Sequence, residues 1–145
     1  MLQHDELFEW RTIYNNVILG LEIQHMLTAR TREKAHNLLD IYGLKQFENA
    51  RPSELSGGMR QRVAVLRAMR MDADFLLLDE PFRGLDAGTK KKTMNYIRRK
   101  GKEKTMLLVT HDLEEAEAMG DWICTCSRLD GILEIKRNRK SSTEI

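Results

Sequence analysis

The chain is predicted to be an α/β protein in which a helical half leads into part of a parallel sheet. Three observations predict it. Apolar residues recur at helical spacing through the first half of the chain. Two short apolar runs, Phe75–Leu78 and Met106–Val109, read as buried strands separated by a helical pattern. Each run ends in residues able to do chemistry, Asp79-Glu80-Pro81 after the first and Thr110-His111-Asp112 after the second. Strand and helix alternating in this order imply a parallel sheet layered with helices.

Thr12 is suited to cap a first helix carrying Ile13, Val17 and Leu21 on one face. Thr31 is expected to cap a second, with Ala35, Leu38, Leu39 and Tyr42 aligned and Gly43 as its stop. Lys45 to Pro52 is polar and turn-rich, and reads as a loop. A third helix is predicted from about Gly58 to Met71, with Val63, Leu66 and Met69 or Arg70 sharing a face. Phe75–Leu78, continuously apolar, is expected to be a strand buried on both faces. Ala87 to Lys100 reads as a basic amphipathic helix stopped by Gly101, and Thr105 to Val109 as a second strand. Asp112 to Met119 is a helix with acids at its start, where the macrodipole favours them. Ile123–Ser127 and Ile132–Ile135 read as two short strands around Leu129-Asp130-Gly131, and the charged tail from Lys136 is expected to fray.

Composition narrows the function classes. With 145 residues, 41% of them hydrophobic and 32% charged, the chain is long enough for one globular domain with a core. A net charge of +2 supplies no electrostatic argument for nucleic acid, and no nucleic-acid partner is expected. No apolar run has the length of a membrane span. Met1 to Glu6 has neither the basic region nor the apolar core of a signal peptide, so export is not expected. Cys124 and Cys126 alternate on one strand, too few for a zinc site and badly placed for a disulfide. They read as small buried residues in a reducing compartment. His4, His25 and His36 show no ligand spacing.

The chemistry concentrates at two places. Asp79 and Glu80 stand where a buried strand meets a loop, the edge at which open α/β sheets bind ligands. One carboxylate there is placed to hold Mg²⁺ through water, and the second to polarise an attacking water. A solvated strand end is the alternative. Parallel pairing brings His111 to the same edge, where its imidazole is placed to donate to a phosphate oxygen, which favours the functional reading. The second place is Ser56-Gly57-Gly58, which opens a helix. The free N–H groups and dipole of such an end attract an anion, and glycines permit close approach. Alternatively the serine caps the helix and does nothing else.

These segments, in this order, carry a family resemblance. Leu55-Ser56-Gly57-Gly58-Met59-Arg60-Gln61-Arg62 resembles the signature of ATP-binding-cassette (ABC) ATPases. Phe75-Leu76-Leu77-Leu78-Asp79-Glu80-Pro81 resembles their Walker B strand, Gly84-Leu85-Asp86 their D-loop, and Thr110-His111-Asp112 their switch histidine. Leu2 to Trp10, leading into Thr12-Ile13-Tyr14-Asn15-Asn16-Val17, is similar to the Q-loop and the segment after it in bacterial importers for nitrate, sulfonates or taurine. A DNA-repair or chromosome-organising ATPase shares the signature and Walker B, but the importer-like Q-loop segment and the lack of coiled-coil heptads argue against one.

The resemblance implies a partial P-loop NTPase fold over residues 1–145. Residues 1–72 would hold the Q-loop, helical subdomain and signature helix, 73–135 the Walker B, D-loop and switch-histidine part of the core, and 136–145 the tail. It implies ATP and Mg²⁺ as cofactors. Gln3 would contact Mg²⁺ or the attacking water, Asp79 would hold Mg²⁺, Glu80 would be the general base and His111 would bind the γ-phosphate. Ser56, Gly57, Gly58 and Gln61 would bind nucleotide held by a second ATPase subunit, and Asp86 would cross the interface of that head-to-tail dimer. A transmembrane permease would dock near the Q-loop, with a solute-binding protein as an indirect partner. The location implied is cytoplasmic, peripheral on the inner face of the cell membrane.

The sequence departs from the family in two ways. Arg83 stands where importer relatives have glycine, and is expected to be a harmless surface residue. The 145 residues also contain no Gly-rich loop ending in Lys-Ser or Lys-Thr, the Walker A element. The expectation is a truncated chain that does not hold ATP in its own half-site, checked by ATP binding to the purified chain with Mg²⁺. Without that loop's strand the two apolar strands are expected to expose edges and leave the monomer marginally stable, checked by its thermal melt.

Overall fold

The structure, a computed structural model, describes residues 6–126 and 133–138. Three helices come first: α1 (Ile13–Ile23), α2 (Ala29–Ile41) and α3 (Gly57–Met69). Alternation then begins, with β1 (Phe75–Asp79), α4 (Ala87–Gly101), β2 (Thr105–Val109) and α5 (Leu113–Met119). A hairpin of β3 (Trp122–Cys126) and β4 (Leu133–Arg137) comes last. The predicted class and element order hold, with two short 3-10 turns, Lys45–Phe47 inside the segment read as a loop and Pro52–Glu54 at its end.

Local chemistry accounts for the helix ends. Thr12 caps α1, its hydroxyl accepting from the Asn15 N–H at 3.2 Å. The cap of α2 is Thr28, not Thr31. Thr31 stands three residues into the helix and reciprocates: each threonine hydroxyl accepts from the other's backbone N–H, at 2.8 and 3.2 Å. A capping box with threonine at its third position has the sequence pattern of a cap one turn later. Gly43 ends α2 in the left-handed region, at φ 65°.

Amphipathic faces of α1, α2 and α3 share one core with β1 and α4. Ile13, Val17, Leu39, Val63, Leu66, Leu78, Phe82 and Ile97 all lie in it fully buried. Asn16 is the polar member. Its Oδ1 accepts from the Phe8 N–H at 2.9 Å, and its Nδ2 donates to the carbonyls of Phe8 and Thr12 at 3.1 and 3.0 Å. A buried amide is tolerable because it is satisfied, and here it folds residues 8–12 back onto α1.

β1 and β2 pair in parallel, with Asp79 opposite Val109, so both carboxyl-terminal ends reach one edge as expected. The expectation of burial on both faces is corrected. Leu76 and Leu78 are buried, while Phe75, Leu77, Leu107 and Val109 are 56, 41, 52 and 47% exposed. Alternate residues of a strand point to opposite faces, and the helices described cover only one face of this ribbon.

The hairpin β3–β4 is antiparallel, with Cys124 opposite Ile135. Cys124 is exposed, not buried as expected, because its face of the hairpin is open. Nor does the chain fray at Lys136. Lys136 and Arg137 belong to β4, and the Asn138 side chain donates to the carbonyls of Glu117 and Gly120, both at 2.7 Å. The turn Leu129-Asp130-Gly131 and residues 139–145 lie outside the described residues. Among the described residues no helix is long and apolar enough to cross a membrane.

Candidate functional site

The paired strands deliver Asp79, Glu80 and His111 to one edge. The Glu80 N–H extends the ladder by donating to Val109 O at 2.9 Å. Glu80 then turns the chain with φ 46°, in the left-handed region that costs a non-glycine residue about 1–2 kcal/mol. Contacts on every side hold it there. Its Oε1 accepts from the His111 backbone N–H at 3.0 Å and lies 2.8 Å from His111 Nδ1. Its carbonyl accepts from the Gln61 side-chain amide at 2.8 Å and from the Arg83 N–H at 3.2 Å.

His111 is 82% exposed at the side chain, with Glu80 at its back. The hydrogen bond to Glu80 and that carboxylate's charge raise the imidazole pKa above its usual 6.5, and Glu115 and Asp112 add to the effect. With Nδ1 directed at Glu80, Nε2 is the ring nitrogen left for a ligand. A raised pKa favours the form in which that nitrogen also carries a proton.

A partly buried polar network supports the His111 loop. Thr110 Oγ1 donates to Glu115 Oε2 at 2.6 Å, and Lys90 of α4 bridges Glu115 at 2.5 Å and Asp112 at 3.1 Å. Asp112 also caps α5, accepting from the Glu114 N–H at 2.9 Å. Its hydrogen bond from Lys90 holds its carboxyl below the usual 3.8. A depressed folded value means stability present above 3.8 and lost as pH falls through that lower value. Asp112→Asn is therefore expected to flatten the decline in urea midpoint between about pH 5 and about pH 2. An unchanged slope would exclude Asp112 as a source of acid sensitivity.

Ser56 caps α3, its hydroxyl accepting from the Met59 N–H at 3.4 Å. Ser56 and Gly57 are exposed, and a Cβ built on Gly57 would meet nothing within 4 Å, so the helix end is open to a ligand. Gly58 is different. A Cβ there would lie 2.8 Å from the carbonyl oxygen of Gly84, itself at φ 72°. Gly58→Ala is expected to displace the start of α3 and cost about 1–3 kcal/mol in chemical denaturation. An unchanged midpoint would show that Gly84 moves aside freely. Asp86, two residues on, caps α4. Its carboxylate accepts from the Thr89 N–H at 2.9 Å, and its interactions with Thr89 depress its pKa.

The family model described as ABC transporter matches residues 1–83, more than half of the chain. The chain belongs to the ABC transporter family. An uncharacterized ABC transporter ATP-binding protein of Bacillus subtilis (strain 168) is 47% identical over 135 residues, covering 92% of this chain and 52% of its own length. The aliphatic sulfonates import ATP-binding protein SsuB 1 of Rhodococcus jostii (strain RHA1) is 47% identical, covering 83% of this chain and 47% of its own. The taurine import ATP-binding protein TauB of Pelagibacter ubique (strain HTCC1062) is 41% identical, covering 83% and 46%. Among solved structures, the ATP-binding cassette MJ0796 in a dimeric post-hydrolysis state with ADP and Pi aligns at TM-score 0.74 and 32% identity, over 85% of this chain and 55% of that one. The chain thus spans about half the length of these relatives, and its fold is part of the P-loop NTPase fold of an ABC ATPase.

Within this family framework, the structure brings Glu80 and His111 into contact and sets Asp79 beside them on β1. It places Ser56, Gly57 and Gly58 at an open helix end, with Gly58 packed against Gly84. Gln61, grouped by resemblance with the nucleotide-binding residues, points inward and is buried against Glu80 O. Gln3 lies outside the described residues. Lys90 and Glu115 are the residues sequence reasoning missed, together with the contact that Thr110 makes to Glu115. The only signal available was a lysine four residues after the α4 cap and a glutamate near the start of α5.

Proposed function

We propose that this chain is the signature, Walker B and switch-histidine portion of an importer-type ABC ATP-binding subunit, in which ATP hydrolysis drives uptake of a small solute. The observation that carries this reading is the bracket of Glu80 by His111, side chain and backbone, at the carboxyl edge of paired parallel strands. In this reading Glu80 accepts the proton of the water attacking the γ-phosphorus, and ADP and phosphate are released. His111 Nε2–H donates to the γ-phosphate as charge builds there.

Asp79 fits Mg²⁺. Its carboxylate is a hard oxygen donor at the end of β1, the donor type that holds Mg²⁺ alongside water and phosphate oxygens. Bound Mg²⁺ neutralises phosphate charge. Gln3 is proposed to reach the same ion or the water. Ser56, Gly57 and Gly58 would take the γ-phosphate of ATP held by a second subunit, and Asp86 would cross that seam. A permease would engage the Q-loop side, with residues 1–72 as the docking and signature part and 73–135 as the catalytic part. A solute-binding protein would act through the permease, with the ATPase on the inner face of the membrane. The import names of the relatives and the dimer of the solved neighbour support this assignment.

A second reading has its own support: the Ser56 turn is capped and open at Gly57. The chain would then lend that turn in trans to an intact ATPase subunit without hydrolysing ATP itself. Phosphate release by the chain assembled with such a subunit separates the two. Catalysis by this chain requires that Glu80→Gln remove half or more of the activity. A lending role requires that Ser56→Glu abolish activity while Glu80→Gln leaves it intact. Insensitivity to both substitutions would overturn both.

A further inference from the structure

Gln61 has no role in the chemistry just described, yet its side chain is placed with care. It lies on α3 one turn from the Ser56 cap, it is buried at 8% exposure, and its Nε2 donates to Glu80 O at 2.8 Å. Glu80 is a non-glycine residue at φ 46°, a conformation that persists only while its surroundings hold it. From α3 the hold comes through Gln61. A few residues away, the Gly58 backbone packs so closely on Gly84 that no side chain fits between them. One helix is thus fastened at two points to the turn that carries Glu80.

We propose that Gln61 is a positioning residue that ties the Ser56-Gly57-Gly58 helix end to the backbone of Glu80, so that the two nucleotide-facing elements of one chain shift together. This rests on the reading above, in which the helix end serves a partner's nucleotide and Glu80 serves the chain's own. Contact made at one half-site then reaches the backbone of Glu80 through the Gln61 amide, alongside the Gly58–Gly84 packing. Helix α3 is buried along Val63, Leu66 and Met69, and Gln61 lies near its start, so displacement of its first turn carries Gln61 with it. Glu80 in turn holds His111 through the backbone N–H as well as the ring.

The test is hydrogen exchange of the His111 backbone amide in the 145-residue chain, because that amide donates to Glu80 Oε1. Gln61→Met keeps the length of the side chain and removes the donor. It is expected to speed exchange at His111 by about ten-fold more than at the α3 amides. Val63→Ala truncates the same helix in the core and is expected to speed the α3 amides without singling out His111. If Gln61→Met leaves His111 exchange unchanged, or Val63→Ala accelerates it equally, the positioning role is overturned. Glu80→Ala gives the rate without the acceptor. A wild-type rate equal to it would instead show that the Glu80–His111 bracket is absent, a failure of the functional reading and not of Gln61 alone. Should Gln61→Met not fold, the wild type decides. Its Gln61 side-chain amide is expected to exchange slowly, as the α3 backbone does, and exchange at the rate of a solvent-exposed amide would overturn the proposal.

Discussion

Replacing Phe82 with alanine is expected to destabilise the fold by about 3–5 kcal/mol, the largest stability loss at any single position. Phe82 is 1% exposed and heads the fully buried side chains by volume. It stands two residues after Glu80, in a turn with no regular hydrogen-bond ladder of its own, so packing is what fixes its place. Its ring joins the core formed by Leu66 of α3, Leu78 of β1 and Ile97 of α4. Removing it leaves a cavity where three elements converge, and rigid helices and a two-stranded ribbon cannot all collapse inward. Urea denaturation reads the effect as a lowered midpoint at an unchanged m-value. If alanine leaves too little folded protein to measure, Phe82→Leu, which keeps most of the volume, is expected to lose a smaller share. A loss under about 1 kcal/mol for alanine would mean the site relaxes around the gap, contrary to this account.

The fold was legible in the sequence where periodicity and punctuation agreed. α4 and β2 fall within a residue or so of their predicted limits because Asp86 caps α4 and Met106–Val109 is uniformly apolar, although Gly101, read as the stop of α4, is its last helical residue and Lys102 the cap. Two errors have physical causes. Thr28 and Thr31 are chemically identical cap candidates, and only the backbone shows which has extended geometry, at φ −118° and ψ 166° for Thr28. The all-apolar strands read as buried on both faces because that is what such runs usually mean in a layered α/β fold. Sequence reports the preference of a strand, whereas exposure depends on which elements lie across from it. The exposed Phe75, Leu77, Leu107 and Val109 are apolar in character but uncovered among the described residues.

The site was legible at its tips and hidden at its supports. Asp79, Glu80 and His111 could be found because strand ends in a parallel pair must converge on one edge. Their supports act over separations that carry no local pattern. Gln61 lies nineteen positions before Glu80, and Lys90 lies twenty-two before Asp112. Gln61 reads by resemblance as a nucleotide-binding residue, and its support of Glu80 emerges only once its amide is seen to be buried. Gly58 and Gly84 are each recognisable as glycines in turns, but that one requires the other emerges only from their contact.

If this chain catalyses as proposed, Glu80→Gln is expected to slow hydrolysis at its own site by about 10²–10⁴-fold, the largest change in activity predicted at any residue. The substitution is well matched to the geometry. Glutamine keeps the length of the side chain and one acceptor oxygen, so the His111 N–H still has a partner at the position now 3.0 Å away. The Glu80 backbone contacts to Val109 and Gln61 do not involve the carboxylate and are retained. What is lost is the ability to accept a proton, and with it the charge that holds the His111 pKa above 6.5. The His111 imidazole is then expected to titrate nearer its ordinary value, so the doubly protonated form becomes scarcer at neutral pH as well. Both changes oppose attack on phosphate and neither opposes folding. The expected pattern is therefore near-native thermal stability, retained nucleotide-dependent association and a collapsed rate of phosphate release. Equal rates for glutamine and wild type would remove Glu80 from the chemistry and leave it as a residue that shapes the turn. Lost stability alongside lost rate would mean that the carboxylate charge, and not only its hydrogen-bonding shape, sustains the strained backbone at Glu80.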